Sequence, residues 1–220
     1  MSLFQYDPQQ TRIKICGLTT PIHVQTALEL QIDAIGLVFY PPSSRYLDPV
    51  QAAPLSKQHQ GQLQNVALVV DASNELIERI NKECSIDIWQ FHGNETPQRC
   101  QAISHGKPWM KAARIDEKFR IEDFCLQYRD ASAWLLDAVV EGYGGGGKTF
   151  NWDLIPETWI RENAHRVVLS GGLNSHNVAE AIEYFRPLAV DVSSGVEISK
   201  GKKDPDLMKN FVMQVRHSKR

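Results

Sequence analysis

Cysteine is scarce in this sequence, and the few cysteines form no recognisable pattern. Cys16, Cys84, Cys100 and Cys125 are widely spaced, and no two of them make a Cys-x-x-Cys pair. This spacing indicates neither a zinc site nor a dithiol redox motif. Free thiols in a reducing compartment are the simplest interpretation.

Long apolar runs and an excess of one charge are also absent. No stretch is long enough to span a bilayer. Lys and Arg number 24 against 26 Asp and Glu, a formal net charge of −2, which gives no electrostatic basis for binding nucleic acid or a membrane surface. The segment 1–11 is polar and lacks the regions of a signal peptide, so we expect a cytoplasmic protein with a short, loose N-terminal lead-in.

The sequence does contain a regular alternation of short apolar runs and longer amphipathic stretches. Nearly continuous apolar runs of this length are typical of parallel strands buried on both faces. Eight such units without a break in composition predict an α/β fold, a single (βα)8 TIM barrel over 12–220, with an open doubly wound sheet as the alternative. The predicted strands are Arg12–Cys16, Ala34–Tyr40, Asn65–Val70, Ile86–His92, Trp109–Ile115, Trp134–Val139, Arg166–Ser170 and Leu188–Ser193.

Several predicted helices begin with a capping residue followed by proline, which is favoured at the first helical position. Pro54 and Pro156 interrupt expected helices, and we predict short or displaced helices there. Asn174 is expected to cap a helix over Ser175–Phe185, where apolar residues recur at helical spacing. The four capped starts are Thr20-Pro21, Asp48-Pro49, Thr96-Pro97 and Asp204-Pro205.

Cys16 stands at the end of the first predicted strand. Because side chains alternate along a strand, Cys16 and Lys14 share one face, and Ile13 and Ile15 share the other. The isoleucines suit the surrounding helices, so Cys16 is expected to point into the barrel at its top. A cysteine in an apolar run is usually a small buried hydrophobe. Cys16 differs from the other three because Gly17 follows it and a lysine shares its face.

Polar side chains also mark the ends of three other strands. Either His92 or Asp137 alone could be structural, but they end different strands, at the face where barrel enzymes carry out their chemistry. Buried charges are costly unless they are paired, so we expect Lys14 and Lys111 to pair with Asp137 or Asp191. The polar residues placed inside the barrel are Gln90 with His92, Asp137, and Asp191 with Ser193.

Glycine-rich stretches follow strands six, seven and eight. Glycines let backbone N–H groups approach an anion, and barrels of this class commonly bind phosphate at the loops after strands seven and eight. Three such loops in successive units favour a phosphate-bearing ligand over simple tight turns. The stretches are Gly142–Lys148, Ser170-Gly171-Gly172 and Ser193-Ser194-Gly195.

The first of these stretches, continued by Thr149, matches the P-loop pattern G-x-x-x-x-G-K-[ST]. A run of glycines makes a chance match easy, and the true motif leads directly into a helix. Here Pro156 follows soon after the match, and the loop is the sixth of eight equivalent connections. A nucleotide triphosphatase is therefore not favoured.

Eight short motifs follow one another along the chain. They are Lys14-Ile-Cys-Gly-Leu18, Gly36-Leu-Val-Phe-Tyr40, Ser44-Arg-Tyr46, Gln90-Phe-His-Gly93, Leu136-Asp137, Gly145-Gly-Gly-Lys-Thr-Phe150, Leu169-Ser-Gly-Gly-Leu173 and Asp191-Val-Ser-Ser-Gly-Val-Glu197. Taken in order, these motifs resemble the phosphoribosylanthranilate isomerase family of tryptophan biosynthesis. The resemblance runs from about Arg12 to the last helix, and the motifs are specific together although each is weak alone.

The resemblance implies an Amadori rearrangement of N-(5′-phosphoribosyl)anthranilate to 1-(o-carboxyphenylamino)-1-deoxyribulose 5-phosphate, with no metal or organic cofactor. It implies that Cys16 is the general base, that Asp137 is the general acid and that Arg45 holds the anthranilate carboxylate. The glycines and serines after strands seven and eight would hold the phosphate. The full expected substrate-binding set is Arg45, Gln90, His92, Gly171, Gly172, Asp191, Ser193, Ser194 and Gly195.

The chemistry sets protonation requirements for the two catalytic residues. Asp137 must be protonated when the substrate arrives, and Cys16 must be a thiolate, although the pKa of a free thiol is about 8.5. Lys14 and the N-terminus of the next helix are expected to favour the anion. Two departures from the family concern other positions: Asn151 stands where an Asp is usual, and 1–11 precede the usual start.

Two alternatives remain at this stage. Another phosphosugar barrel enzyme would need either several His and Asp ligands for a metal or a strand-end lysine for a Schiff base, and Lys111 lies in mid-strand. A barrel that only senses a phosphorylated metabolite would bind without turnover. The presence of both Cys16 and Asp137 argues against a sensor.

Overall fold

The computed structural model describes residues 2–59, 61–138 and 151–218. Its parallel strands close into a barrel in sequence order, so the predicted TIM barrel is confirmed and the open sheet is wrong. No helix in these ranges is long and apolar enough to cross a membrane. The barrel strands are β1 (Arg12–Cys16), β2 (Ala34–Val38), β3 (Gln64–Val69), β4 (Ile88–Phe91), β5 (Trp109–Ile115), β6 (Ala133–Ala138), β7 (Val167–Leu169) and β8 (Ala189–Val192).

The helices alternate with the strands, and three of the four predicted caps form. The side chains of Asp48, Thr96 and Asp204 accept hydrogen bonds from backbone N–H groups of the first helical turn. Thr20 precedes its helix without such a bond. The helices are α1 (Pro21–Glu29), α2 (Pro49–Lys57), α3 (Asn74–Glu83), α4 (Pro97–Ser104), α5 (Ile121–Gln127), α6 (Glu157–Asn163), α7 (Val178–Phe185) and α8 (Pro205–His217).

The predicted helix interruptions have different outcomes. Helix α2 is short, at 9 residues, but it continues through Pro54. The carbonyl that loses its helical partner there belongs to Val50, an exposed residue that water can reach. Before Pro156 the chain instead forms a 3-10 turn over Trp152–Leu154, and α6 begins only at Glu157. The helix is therefore displaced there, as predicted.

The predicted start of α7 is wrong by several residues. The side chain of Asn174 accepts a hydrogen bond from the N–H of His176 at 2.8 Å, which closes a turn and not the first turn of a helix. The helix begins at Val178, after Asn177. Because Asn side chains bond to nearby backbone in turns as readily as at helix starts, the residue type did not distinguish the two.

The barrel interior is apolar at the end where the strands begin, and the N-terminal segment closes this end. Leu3 is fully buried among Ala34, Val66 and Ile88, which line the interior. Its N–H donates to Oε1 of Gln64 at 2.5 Å. The expectation of a loose lead-in is therefore wrong at Leu3, whose buried side chain closes the barrel together with the partly buried Phe4.

A short antiparallel hairpin follows β8. A 3-10 turn over Ser194–Val196 leads into β9 (Glu197–Ser199), which pairs with β10 (Lys202–Lys203) immediately before α8. The hairpin lies at the carboxyl end of the barrel because it extends from the end of β8. It therefore belongs to the same face as the strand-end residues described next.

Candidate active site

Cys16 ends β1 and lies beside Gly36 of the neighbouring strand β2. A Cβ atom on Gly36 would lie 2.6 Å from the Sγ atom of Cys16 and 2.9 Å from its Cα atom. Both separations are too short for non-bonded atoms, so only glycine leaves room for the thiol. The sequence motif contained Gly36, but its spatial relation to Cys16 follows only from the strand register.

Charged groups surround the Cys16 thiol. The fully buried ammonium of Lys14 donates to Oδ1 of Asp191 at 2.7 Å, which confirms one of the expected pairings. Burial raises the pKa of Cys16, while the positive charges of Lys14 and Lys203 oppose that rise. Lys14 thus acts in the expected direction, but the burial of the thiol outweighs it.

Asp137 is the next-to-last residue of β6 and contacts the imidazole of His92, with 3.3 Å between Oδ2 and Nε2. On the other side of the ring, Nε2 of Gln90 lies 3.2 Å from Nδ1 of His92. The three side chains therefore form a row in which Gln90 contacts His92 and His92 contacts Asp137.

Gln90 has one further property. Its Oε1 atom is buried and has no hydrogen-bond partner among residues 2–59, 61–138 and 151–218. A buried carbonyl oxygen without a partner is costly. Such an atom inside the barrel is suited to accept a hydrogen bond from a bound ligand.

The expected pairing of Lys111 with Asp137 or Asp191 is wrong. Met110 and Ala112 of β5 line the barrel interior, so alternation turns Lys111 outward, towards Tyr128, whose ring centroid lies 5.5 Å from Nζ. Lys111 donates there to Oε2 of Glu95 at 3.0 Å and to the carbonyl of Gly93 at 2.6 Å.

Glu95 also anchors the loop after β4. Its carboxylate accepts from the N–H of Asp71 at 2.8 Å and from the N–H of Gly93 at 3.0 Å. These bonds hold the loop immediately beyond His92. No pattern in the sequence indicates this role, because Glu95 lies outside every predicted strand, directly before a helix cap.

Arg45 lies on the loop between β2 and α2 and reaches over Gly17 to the hairpin after β8. A Cβ atom on Gly17 would overlap the side chain of Arg45. The guanidinium forms two parallel hydrogen bonds with Glu197, with distances of 2.7 and 2.8 Å. A guanidinium has five N–H groups, so this pair fixes Arg45 while three donors remain for other partners. Glu197 ended a quoted motif, but no role was predicted for it.

The loops after β7 and β8 pack directly against each other. Gly171 and Gly172 have φ angles of 82° and 66°, which favour glycine. A Cβ atom on Gly195 would overlap the carbonyl of Leu173, so the two loops could not approach this closely with a larger residue. Ser194 begins the 3-10 turn in the loop after β8. The remaining predicted loop, Gly142–Lys148, lies outside the described residues.

Ser193 points its hydroxyl group back towards β1. Its Oγ atom donates to the carbonyl of Cys16 at 3.1 Å and receives a hydrogen bond from Lys203 at 3.2 Å. Lys203 was not predicted as a site residue. Nothing in the sequence separated it from its neighbour Lys202, since only the structure shows that Lys202 is exposed and Lys203 is buried.

The described residues thus bring a thiol, a carboxylic acid, an arginine and two glycine-rich loops to one end of the barrel. No group of three or more His, Cys, Asp or Glu side chains in the described ranges could hold a metal ion. A thiol and a carboxyl group that face one interior can act as a base and an acid on a small ligand.

The comparisons agree on one family. The family described as N-(5′phosphoribosyl)anthranilate (PRA) isomerase matches residues 13–214. The N-(5′-phosphoribosyl)anthranilate isomerase of Ralstonia nicotianae is 46% identical over 216 residues, which cover 95% of this chain and 94% of the relative. The isomerase of Leptothrix cholodnii is 49% identical over 209 residues, covering 95% and 92%.

Solved structures give the same result. The phosphoribosyl anthranilate isomerase of Thermotoga maritima superposes with a TM-score of 0.85 at 38% identity, covering 94% of this chain and 99% of the other. A second structure is a phosphoribosyl anthranilate isomerase in complex with reduced 1-(o-carboxyphenylamino)-1-deoxyribulose 5-phosphate. It has a TM-score of 0.80 at 33% identity, with 94% and 99% coverage.

Proposed function

Because this chain belongs to the N-(5′-phosphoribosyl)anthranilate isomerase family, we propose that Cys16 is the general base and Asp137 the general acid of its reaction. The chain is an isomerase of the aldose-ketose type in tryptophan biosynthesis. The observation that carries the proposal is the convergence of a buried thiol on β1 and a buried carboxyl group on β6 at the same end of one barrel.

The acid step opens the ribose ring. Asp137 gives a proton to the ring oxygen, the bond from C1′ to that oxygen breaks, and the anthranilate nitrogen forms a double bond to C1′. A carboxylic acid placed at the leaving oxygen lowers the barrier because it neutralises charge as the bond breaks. The Nε2 atom of His92 lies 3.3 Å from Oδ2 of Asp137, so the imidazole restricts where this carboxyl group can lie.

The base step moves the double bond. Cys16 removes the proton from C2′, the electron pair of that C–H bond forms a double bond between C1′ and C2′, and the pair of the C1′–N double bond returns to the anthranilate nitrogen. The resulting enol becomes the ketone when C1′ gains a proton and the C2′ hydroxyl group loses one. Burial favours the neutral thiol of Cys16, and the ammonium of Lys14 favours the thiolate that the step requires.

The two anionic ends of the substrate fit the two sides of the site. Arg45 is proposed to hold the anthranilate carboxylate, since its guanidinium is fixed by Glu197 and keeps further N–H groups. Gly171, Gly172 and the turn that follows Ser193 are proposed to bind the phosphate through backbone N–H groups.

The residues between these ends are proposed to contact the sugar. Gln90 offers a buried carbonyl oxygen without a partner in the described ranges, and a ribose hydroxyl could donate to it. Asp191 is held by Lys14 beside Cys16 and is proposed to contact the ligand there.

We further propose that the barrel from residue 12 onward acts as one domain, in the cytoplasm.

The direct test follows the fluorescence of freshly made phosphoribosylanthranilate after the purified protein is added. We expect a fast decay with the parent protein and a kcat at least about 100-fold lower with Cys16→Ala. Cys125→Ala, which removes a buried thiol from α5, is the matched control and should keep the parent rate. A folded parent protein that produces no decay would remove the isomerase assignment, and a near-normal kcat for Cys16→Ala would remove Cys16 as the base.

A further inference from the structure

The hairpin after β8 contains two adjacent lysines in opposite environments. Lys202 is exposed, whereas Lys203 is among the most completely buried large side chains of the protein. A lysine is rarely buried unless its ammonium group is fully paired. The burial of Lys203 therefore implies that its ammonium group is paired inside the protein.

The ammonium of Lys203 has three hydrogen-bond partners for its three N–H groups. It donates to the carbonyl of Ser193 at 2.9 Å, to the hydroxyl of Ser193 at 3.2 Å and to Oε1 of Glu197 at 2.7 Å. Two of the acceptors belong to Ser193, directly after β8, and the third belongs to Glu197, the first residue of β9. Lys203 thus fixes this segment at the carboxyl end of the barrel.

Each partner of Lys203 leads to a different functional residue. The hydroxyl of Ser193 donates to the carbonyl of Cys16 at 3.1 Å. The carboxylate of Glu197 holds the guanidinium of Arg45 through two bonds. One ammonium group therefore connects the backbone of the proposed base with the side chain proposed to bind the carboxylate.

The same cluster sets the charge that a ligand meets. Arg45 and Glu197 form a buried pair whose charges cancel, and Lys203 shares that carboxylate. Two cations and one carboxylate leave one net positive charge beside the Arg45 guanidinium. Without Lys203, an incoming carboxylate would meet a neutral pair.

A close backbone contact strengthens this connection. Gly201 lies at the tip of the hairpin with a φ of 84°, and a Cβ atom there would lie 2.7 Å from the carbonyl oxygen of Ser44. The N–H of Gly201 also donates to Oε2 of Glu197 at 3.0 Å. The hairpin therefore packs directly on the loop that carries Arg45.

We propose that Lys203 is a positioning residue for the isomerisation, which fixes Cys16 through Ser193 and Arg45 through Glu197. The role rests on the proposed function of Cys16 and Arg45. In the described part of the chain, the charged groups around Cys16 include Lys14 on β1, Arg45 on the loop after β2, Asp191 on β8 and Lys203 on β10, and the Lys203 ammonium acts to lower the pKa of the thiol.

The test compares Lys203→Met and Lys203→Gln with the parent protein and with Lys202→Met, the matched change at the exposed neighbour. Steady-state kinetics with phosphoribosylanthranilate should show a KM raised by about tenfold or more and a lower kcat for both Lys203 variants. The alkylation rate of Cys16 is measured by peptide mass spectrometry across a pH series. In both Lys203 variants, the pH at which this rate is half of its maximum should be higher than in the parent protein. Lys202→Met should match the parent in each measurement.

Each outcome decides between the proposals. Folded Lys203 variants with the parental KM and the parental alkylation midpoint would overturn the positioning role while the isomerase function stands. Lys203→Gln keeps a side-chain N–H donor, so it provides the measurement if Lys203→Met does not fold. A folded parent protein without turnover would instead overturn the proposed function, and the role of Lys203 with it. A lower thermal stability with unchanged KM and unchanged midpoint would show that Lys203 is only structural.

Discussion

Among single residues, Gly36 tolerates substitution as little as the reactive residues of the site do. Gly36 has no reactive atom, yet it decides whether the Cys16 thiol fits between β1 and β2. A reactive residue can be recognised from its side-chain chemistry. A glycine that leaves space for another side chain can be recognised only once its neighbours in the fold are known. The strand register is the observation that connects the two.

Gly36→Ala should therefore lower both activity and stability. The new methyl group would overlap Sγ of Cys16, so the thiol must move, and overpacking of this kind costs about 1–3 kcal/mol. Chemical unfolding and steady-state kinetics of the purified variant measure both effects.

A double-mutant cycle separates the thiol from other causes. In a Cys16→Ala background the sulfur is absent, so Gly36→Ala should cost less stability than it does in the parent protein. Equal costs in the two backgrounds would mean that the added methyl group clashes with the backbone of Cys16 and not with its thiol.

Asp137 gives a second test at this scale. Asp137→Asn keeps the size and the contact to His92 but removes the transferable proton, so kcat should fall by about 100-fold or more while KM changes little. Steady-state kinetics with phosphoribosylanthranilate would measure kcat and KM separately. A variant with a near-normal kcat would contradict the general-acid assignment.

The residue roles could be predicted from the sequence only in part. Cys16, His92, Asp137 and Asp191 lie at or next to the carboxyl ends of different strands, and strand alternation is sufficient to place them inside the barrel. The same rule places Lys111 outside, although its expected partner was an interior carboxylate. The need to pair a buried charge does not by itself show which face of a strand a lysine occupies.

At the scale of helices and strands, capping residues and proline determined most helix starts. The rule worked where a Thr or Asp preceded a proline, because both residues act on the first turn of a helix. It failed at Asn174, whose side chain closes a turn before α7. Local hydrogen bonding is common to turns and helix starts, so the sequence alone could not separate them.

Two threonines provide a matched test of capping. Thr96 and Thr20 each precede a proline at the start of a helix, but only Thr96 accepts a hydrogen bond on its Oγ1 atom from a backbone N–H, that of Arg99. Thr96→Ala should lower the free energy of unfolding by about 1 kcal/mol, and Thr20→Ala should lower it less. Urea unfolding of both variants measures the difference. Equal losses would mean that the Thr96 hydrogen bond contributes no stability.

Across the whole molecule, stability and chemistry occupy opposite ends of the barrel. Small and aliphatic residues such as Ala34, Val66 and Ile88 fill the interior where the strands begin. Lys14, Gln90 and Asp191 lie in the interior further along the strands. The apolar runs that predicted the strands also supply this packing, which is why the fold could be predicted from the sequence. The burial of Leu3 at the closed end could not be predicted, because a leucine in a mainly polar segment forms no periodic pattern.

Leu3→Ala tests whether this division is real. Leu3 is fully buried at the closed end, so its truncation should lower the free energy of unfolding by about 2–5 kcal/mol through lost burial and a cavity. The control is Leu126→Ala on α5, the same change at a side chain that is 70% exposed, which should be nearly neutral. Because the catalytic residues lie at the other end, kcat and KM of folded Leu3→Ala should equal the parent values. A large loss of kcat in a fully folded variant would show that the two ends are coupled, and that the N-terminal segment contributes to the geometry of the site as well as to stability.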